Sequence, residues 1–248
     1  MSEISIELVP RSVSSLEQDL ARVREHFPAV HTVNIPDLLR FELRSWDACA
    51  LARRALPRAI PHLRSMDFDP DQPFRLAAEL RAHGLDELLV ISGDAPQDMA
   101  HRVYPTSPVE LIPLLKRALP GVKVYAGFDP YRAGVREELD YARAKLDAGA
   151  DGFFSQPFFD LRLLEVWSEL LAGCEVYWGI TPVVRPRQRL WWETKNRAVF
   201  PADFEPTLKW NRRFAREVLD WAQRRDTNLY FMPIRTDLVA YLSGILST

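Results

Sequence analysis

The chain has 248 residues, of which 47% are hydrophobic, and this length suits one large α/β domain with a substantial core. Its 32 basic and 34 acidic residues give a net charge of −2 and form no basic stripe, which argues against a nucleic-acid-binding surface. No apolar run reaches the ~18 residues of a membrane-spanning helix, and no secretory signal precedes the first strand, so we expect a cytoplasmic protein. The two cysteines, Cys49 and Cys174, are too few for a disulfide framework or a cysteine-based zinc site.

Short β-branched runs alternate with longer amphipathic stretches along the chain. The runs predict eight strands, over residues 4–9, 30–35, 59–64, 87–91, 122–126, 152–155, 175–179 and 229–232. The amphipathic stretches predict nine helices, over residues 14–26, 46–56, 73–83, 108–119, 132–148, 161–171, 187–195, 206–225 and 236–246. Ser107-Pro108 is typical of a helix start, and Gly84 and Gly149 are typical of residues that follow a helix.

This alternation predicts an α/β protein, a (β/α)8 TIM barrel in which residues 1–248 form a single domain. Strands that are separated by helices pair in parallel through right-handed crossovers. Eight strands are the number that a closed barrel needs, whereas an open doubly wound sheet usually has about six. No long linker rich in Pro, Gly or Ser divides the chain. Because barrel enzymes carry their active sites at the C-terminal ends of the strands, the polar residues there are the candidates.

Eight polar residues end or follow the predicted strands: Glu7, Asn34, His62, Asp94, Asp129, Gln156, Thr181 and Arg235. Strand alternation alone would point Glu7 to solvent, but both faces of a parallel sheet are covered, and a desolvated carboxylate has the raised pKa of a general acid. Asp94 follows Gly93 and is either a rim carboxylate or an ordinary turn cap. Gln156 lies among four phenylalanines, and a buried amide needs a partner that a ligand can supply.

Several other chemistries lack their sequence signals. His62 has no second histidine or cysteine at ligand spacing, so we predict no metal ion. Ser92 lacks the Gly-x-Ser-x-Gly elbow and Cys49 lies on a predicted helix, which leaves nucleophilic catalysis without support. There is no Gly-x-Gly-x-x-Gly motif and no phosphate loop. The residues by themselves therefore predict a barrel enzyme with a pair of carboxylates at its mouth.

Five blocks, in this order, resemble the methylenetetrahydrofolate reductase family. Residues 5–10, Ser-Ile-Glu-Leu-Val-Pro, are similar to its opening Ser-Phe-Glu-Phe-Phe-Pro, and residues 61–63, Pro-His-Leu, to its third strand. Residues 92–96, Ser-Gly-Asp-Ala-Pro, are similar to its Arg-Gly-Asp-x-Pro turn. Lys-Leu-Asp-Ala-Gly-Ala-Asp at 145–151 and Ser-Gln-Pro-Phe-Phe-Asp at 155–160 form the longest match, and Gly-Ile-Thr-Pro-Val at 179–183 is similar to the family's Gly-Ile-x-Pro-Ile.

The resemblance implies a (β/α)8 barrel of one-carbon metabolism that transfers hydride from NAD(P)H to methylenetetrahydrofolate, normally through FAD. It implies two catalytic residues, with Glu7 as the general acid that opens the imidazolidine ring and Asp94 as the anion that faces the resulting cation. The implied substrate-binding residues are Asp94, Gln156, Gln188, Trp192 and Arg235. The implied cofactor-binding residues are Asn34, His62, Gly93, Tyr104, Phe128, Glu138 and Lys145. Folate and nicotinamide are the implied partners, and a homo-oligomer is left open.

The departures from the family pattern lie on the flavin side. Ser92 stands at the position of a flavin-contacting arginine, Phe128 replaces a tyrosine, and Tyr131 and Arg132 lie near a histidine position. Tyr141 and Ala144 replace polar flavin contacts, whereas Glu138 and Lys145 are retained. This pattern predicts weak or absent FAD, and is compatible with hydride transfer through weakly bound FAD or directly from NAD(P)H. A non-redox folate-binding or methyl-transfer accessory protein on the same scaffold is the main alternative, and a barrel enzyme with an unrelated substrate is a third.

Overall fold

The structure is a computed structural model that describes residues 2–95 and 101–246. Eight parallel strands form a closed barrel in which neighbours follow chain order and the last strand pairs with the first. The strands are β1 (Ile4–Glu7), β2 (Thr32–Ile35), β3 (Arg58–Arg64), β4 (Glu87–Ile91), β5 (Lys123–Phe128), β6 (Gly152–Pro157), β7 (Glu175–Ile180) and β8 (Asn228–Phe231). The predicted (β/α)8 barrel is therefore confirmed.

The helices cover the outside of this barrel. Those within the described ranges are α1 (Val13–His26), α2 (Ser45–Ala52), α3 (Ala77–Ala82), α4 (Pro108–Ala118), α5 (Val135–Asp147), α6 (Leu161–Leu170), α7 (Pro186–Lys195), α8 (Leu208–Arg225) and α9 (Leu238–Leu242). A single 3-10 turn at Ser65–Asp67 follows β3. None of the described helices combines the length and the apolar character needed to cross a membrane.

Capping residues decide where several helices begin and end. The Ser107 hydroxyl accepts a hydrogen bond from the Glu110 amide, and the Glu110 carboxylate bonds back to the Ser107 amide, which confirms the predicted start of α4. Gly84 and Gly149 follow α3 and α5 with φ angles of 66° and 108°, as predicted. The predicted start of α5 at residue 132 is wrong, because Gly134 is its N-cap and the three residues before Val135 belong to the preceding loop.

The barrel interior is filled with aromatic side chains. Phe154 stacks on Tyr177 with ring centroids 4.3 Å apart, and Tyr125 meets both rings edge-on. Ile60, Leu89, Tyr230 and Met232 complete this inner cluster, and a larger core lies between the sheet and the helices. The packed interior leaves space for a ligand only above it, at the ends of the strands.

Charged residues close the N-terminal end of the barrel. Arg58 at the start of β3 donates two hydrogen bonds to Glu87 at the start of β4, at 2.8 and 2.6 Å, and also pairs with Glu3. Lys123 lies 2.7 Å from a Glu175 carboxylate oxygen, so that the first residues of β5 and β7 are joined in the same way. The Tyr125 and Tyr177 hydroxyls, from inside the barrel, donate to Glu175 and Glu3 respectively. Each of these charged side chains therefore has a partner of opposite charge.

The connection after β7 covers the opposite end. It contains the short helix α7 before the long helix α8 packs along the barrel with eight buried residues. Only Trp192 of α7 is buried, so this helix lies over the strand ends rather than against the side of the sheet. Its position makes α7 one wall of the mouth.

Candidate active site

A cavity of about 430 Å³ opens at the C-terminal ends of the strands. This volume is in the range of small-molecule sites. Nine of the residues predicted from the sequence line it, namely Glu7, His62, Gly93, Asp94, Phe128, Glu138, Lys145, Gln156 and Trp192. The other four, Asn34, Tyr104, Gln188 and Arg235, are not part of the lining. Asp129, another strand-end residue, also lines the cavity, and its carboxylate accepts a hydrogen bond from the Tyr131 amide.

Glu7 is the last residue of β1, and its carboxyl group lies in the cavity wall. It has no hydrogen-bond or ion-pair partner anywhere in the described part of the chain. Burial without compensation raises its pKa from the ordinary value to about 7. Near neutral pH the carboxyl group is therefore half protonated, which is the state that a general acid requires.

His62 reaches the cavity from β3 and is held by a chain of buried hydrogen bonds. Its Nε2 lies 2.9 Å from Asn34 Oδ1, and Asn34 Nδ2 donates to Ser5 Oγ at 2.9 Å. Because the amide oxygen is the acceptor, Nε2 carries the hydrogen. Burial lowers the pKa of His62 to about 3, so the imidazole is neutral. Asn34 thus lies behind His62 and acts on the cavity only by fixing its ring.

Gly93 and Asp94 form a turn over an arginine from the neighbouring strand. Gly93 has a φ of 88°, and a Cβ at this position would lie 2.6 Å from Arg64 Nε. Arg64 Nη2 donates to the Asp94 carbonyl oxygen at 2.6 Å, which fixes the turn from below. The Asp94 side chain is exposed at the rim. Pro96, the last residue of the predicted turn motif, lies outside the described residues.

Gln156 is exposed, and the prediction that it is a buried amide is wrong. The pairing of β6 with β7 shifts between Phe154 and Pro157, where three residues of β6 oppose two of β7. At this bulge the Gly179 amide bonds to the Ser155 hydroxyl at 2.8 Å instead of continuing the ladder. A bulge of this kind redirects a side chain, and Gln156 consequently points into the cavity while the phenylalanines stay buried.

The α5 side of the cavity is a set of mutually paired groups. Arg132 Nε donates to the fully buried Glu138 at 2.7 Å, and its guanidinium lies 4.4 Å from the centroid of the Tyr141 ring. Lys145 Nζ donates to the Gly127 carbonyl oxygen at 2.7 Å and lies 3.9 Å from the same ring centroid. Burial lowers the pKa of Lys145 to about 8. Ser92 also lies beside the Tyr141 hydroxyl.

On the opposite side, α7 contributes an aromatic wall. Trp192 is buried and packs nearly perpendicular to Phe159, at 5.6 Å between centroids, with its other side on the cavity. The neighbouring Trp191 is half exposed. Gln188, one turn earlier, accepts a hydrogen bond from the Val184 amide at 3.0 Å, so it fixes the start of α7 and does not reach the cavity.

Comparison with known proteins places the chain in a family. The methylenetetrahydrofolate reductase model matches residues 19–192, which is more than half of the chain. The chain belongs to the methylenetetrahydrofolate reductase family. It is 28% identical over 137 residues to the 5,10-methylenetetrahydrofolate reductases of Escherichia coli K12 and Shigella flexneri, and the matched segment covers 52% of this chain and 46% of those proteins. The chain thus matches about half the length of these curated relatives.

Solved structures with the same fold include two informative barrels. An uncharacterised protein from Clostridium thermocellum that binds two copies of 5-methyl-5,6,7,8-tetrahydrofolic acid aligns with a TM-score of 0.67 and 12% identity, over 99% of this chain and 94% of that one. Oxaloacetate acetylhydrolase aligns with a TM-score of 0.60 and 13% identity, over 100% of this chain and 84% of that one. At these identities the likeness shows the fold alone.

Two residues that the family resemblance assigns to ligand binding lie elsewhere in this member of the family. Tyr104 lines a second cavity of about 390 Å³ with Phe68 and Phe74, beyond the 3-10 turn. Arg235 follows β8 with a φ of 54°, and its side chain is exposed outside the lining of the main cavity. Their assigned roles, like those of the lining residues, stay predictions.

Sequence reasoning missed Asn196 and Tyr230, which line the cavity, and Arg64, which lies beneath the turn of Gly93 and Asp94. Arg64 lies two residues after His62 on the same strand, so strand alternation could have found it. Tyr230 lies in the middle of β8 among apolar residues, so its sequence context does not mark it as a site residue. Its hydroxyl donates to the Ser155 carbonyl oxygen. Asn196 is the residue that ends α7, and nothing in its sequence context marks it as a cavity residue.

Proposed function

We propose that this protein reduces 5,10-methylenetetrahydrofolate to 5-methyltetrahydrofolate with hydride from NAD(P)H, and that it does so without bound FAD. The observation that carries the proposal is the unpartnered carboxyl group of Glu7, whose pKa is raised to about 7 inside the cavity. A barrel that only bound folate would not need a desolvated acid without a partner, because such a group lowers the stability of the fold.

The reaction requires a proton at N10 of the substrate and a hydride at its methylene carbon. Glu7 donates the proton, the bond between the methylene carbon and N10 breaks, and a cation forms at N5 and the methylene carbon. The Asp94 carboxylate stabilises this positive charge. The C4 hydride of the dihydronicotinamide then adds to the methylene carbon, which becomes the methyl group. N10 keeps the proton, and Glu7 takes another from water.

The residues at the flavin positions of the family fit FAD poorly. The two retained groups, Glu138 and Lys145, already bond to Arg132 and to the Gly127 carbonyl oxygen. Ser92, at the position of the family's arginine, offers a neutral hydroxyl beside Tyr141 instead of a cation. A flavin would have to break these contacts, and exchanging one hydrogen bond for another contributes little affinity. We therefore assign no step of the reaction to a flavin.

A second candidate function is folate binding without reduction. The Clostridium thermocellum barrel, which binds 5-methyl-5,6,7,8-tetrahydrofolic acid, favours it as an alternative. This candidate predicts that folate binds and that nicotinamide does not react. Under this alternative there is no turnover, and Glu7 takes part in no reaction.

The test is anaerobic oxidation of NADH and of NADPH by protein freed of flavin, with methylenetetrahydrofolate and with or without added FAD. We expect turnover in flavin-free buffer and only weak binding of FAD by calorimetry. Activity that depends strictly on stoichiometric FAD would refute the flavin-free mechanism and leave the reductase assignment intact. Folate binding with no oxidation of either nicotinamide under any of these conditions would refute the reductase assignment itself.

A further inference from the structure

Three potential metal ligands meet on the outer surface of the barrel, away from the cavity. Asp47 lies in the first turn of α2, whereas Glu79 lies in α3 and His83 ends that helix. The His83 ring nitrogen and one oxygen of each carboxylate lie within 4.8 Å of one another. None of the three lines the cavity, so this group is independent of the proposed reaction.

The distance between His83 and Asp47 fits a metal better than a hydrogen bond. His83 Nε2 lies 3.4 Å from Asp47 Oδ1, which is longer than the roughly 2.7–3.2 Å of an ordinary N–H···O bond. Two ligands each about 2.0–2.1 Å from a tetrahedral zinc ion are separated by roughly 3.3–3.4 Å. His83 Nε2 is also shielded from solvent and has no hydrogen-bond partner among the described residues. A buried polar atom left unpaired in this way calls for a missing partner.

The local fold holds the two α3 ligands on one face. Glu79 and His83 are four residues apart, so their side chains lie on the same face of the helix, about one turn from each other. The His83 amide bonds to the Glu79 carbonyl oxygen at 2.9 Å, so the last turn is intact. Gly84 then ends the helix with a φ of 66° and leads the chain away from the cluster. Asp47 approaches this face from the neighbouring helix.

We propose that Asp47, Glu79 and His83 bind one divalent transition-metal ion, with zinc as the preferred ion. One imidazole and two carboxylates suit zinc, and a water molecule would complete the tetrahedron. Magnesium and calcium prefer sites made of oxygen alone, so the imidazole selects against them. Because the ligands come from α2 and α3, the ion would join these two helices.

The experiment is calorimetric titration of chelator-treated, tag-free protein with zinc chloride, followed by magnesium chloride in a separate run. We expect one zinc site per chain and no heat of binding with magnesium. His83→Ala should weaken zinc binding at least tenfold, because removing even an outer-shell partner of a ligand costs about that much. His31→Ala, which removes an exposed histidine outside the cluster, is the matched control and should bind zinc like the unaltered chain.

Thermal unfolding with and without zinc provides the second measurement. Zinc should raise the Tm of the unaltered chain and of His31→Ala but not that of His83→Ala, because a ligand of the folded state stabilises it. Glu79→Gln, which keeps the side-chain volume, replaces His83→Ala if the latter fails to fold. No zinc binding by the unaltered chain, or equal binding by the cluster variants, would overturn the proposal and leave the three side chains as an ordinary surface cluster.

Discussion

Charged residues are paired at one end of the barrel, and the candidate acid is left unpaired at the other. At the N-terminal end Arg58 pairs with Glu87 on the neighbouring strand, and Lys123 pairs with Glu175 two strands away. At the C-terminal end the half-buried Glu7 has no partner among the described residues, and the Asp94 carboxylate is exposed at the rim. Pairing lowers the cost of desolvating a charge, whereas an unpaired group keeps its capacity to bond to a ligand. The contrast assigns stability to one end and reactivity to the other, and four predictions test it.

The largest expected effect follows from Glu7→Gln. The amide keeps the shape of the side chain but cannot deliver a proton, so turnover should fall by roughly two to four orders of magnitude. Folate affinity, measured by calorimetry, should change by less than tenfold because Glu7 acts on the reaction step. Near-normal turnover in this variant would remove Glu7 from the mechanism and with it the chemical contrast between the two ends.

A smaller effect is expected from Asp94→Asn. Losing one charge-assisted hydrogen bond costs about 1.5–3 kcal/mol, which corresponds to a roughly tenfold to hundredfold weaker affinity for folate. The side chain is exposed, so the free energy of unfolding should stay within about 0.5 kcal/mol of the unaltered chain. Unchanged folate affinity, measured by calorimetric titration, would mean that the pterin does not lie at this rim.

The pH dependence of turnover sharpens the role of Glu7. Burial raises its pKa to about 7, so the acid form predominates below that pH and is lost above it. Turnover should therefore be level at lower pH and fall about tenfold per pH unit above 7. The residual activity of Glu7→Gln should lack this decline. A rate that stays constant up to pH 9 would contradict general-acid catalysis by this group.

The smallest effect concerns the paired end. Arg58→Ala leaves Glu87 and Glu3 without their cation and should lower the free energy of unfolding by about 1–3 kcal/mol, a range reduced by the partial exposure of the arginine. Turnover per folded molecule should not change, because Arg58 lies at the far end of the barrel. Denaturant unfolding and active-site titration together measure both quantities. A variant with lower turnover and unaltered stability would reverse the assignment of the two ends.

Local patterns predicted the barrel, because alternation of short apolar runs with amphipathic stretches is a property of neighbouring residues. The same alternation, with the rule for strand ends, brought Glu7, His62 and Asp94 to one cavity. This reasoning could not predict contacts between elements that are distant in the sequence. The bulge that exposes Gln156 depends on how β6 pairs with β7, and the meeting of Asp47 with His83 depends on how α2 packs beside α3.

The paired groups around Tyr141 illustrate the same limit. The sequence marks Ser92 and Tyr141 as separate departures from the family pattern, and the structure places their side chains beside each other. Arg132, in a loop, and Glu138, in α5, are six residues apart, yet their ion pair forms because the loop after β5 folds back over the helix. Such pairs depend on the geometry of a loop, which carries no periodic signal.

The buried carboxyl group of Glu7 also makes folding a proton-binding reaction. In the unfolded chain its pKa is near the ordinary 4.5 and in the barrel it is about 7. Between these two pH values the folded protein holds a proton that the unfolded chain releases. The stability associated with the neutral acid is complete below about pH 4.5 and is lost as the pH rises towards 7, by about 3 kcal/mol in all. A protein with this group therefore unfolds more readily in alkaline solution, and Glu7→Gln should abolish that dependence.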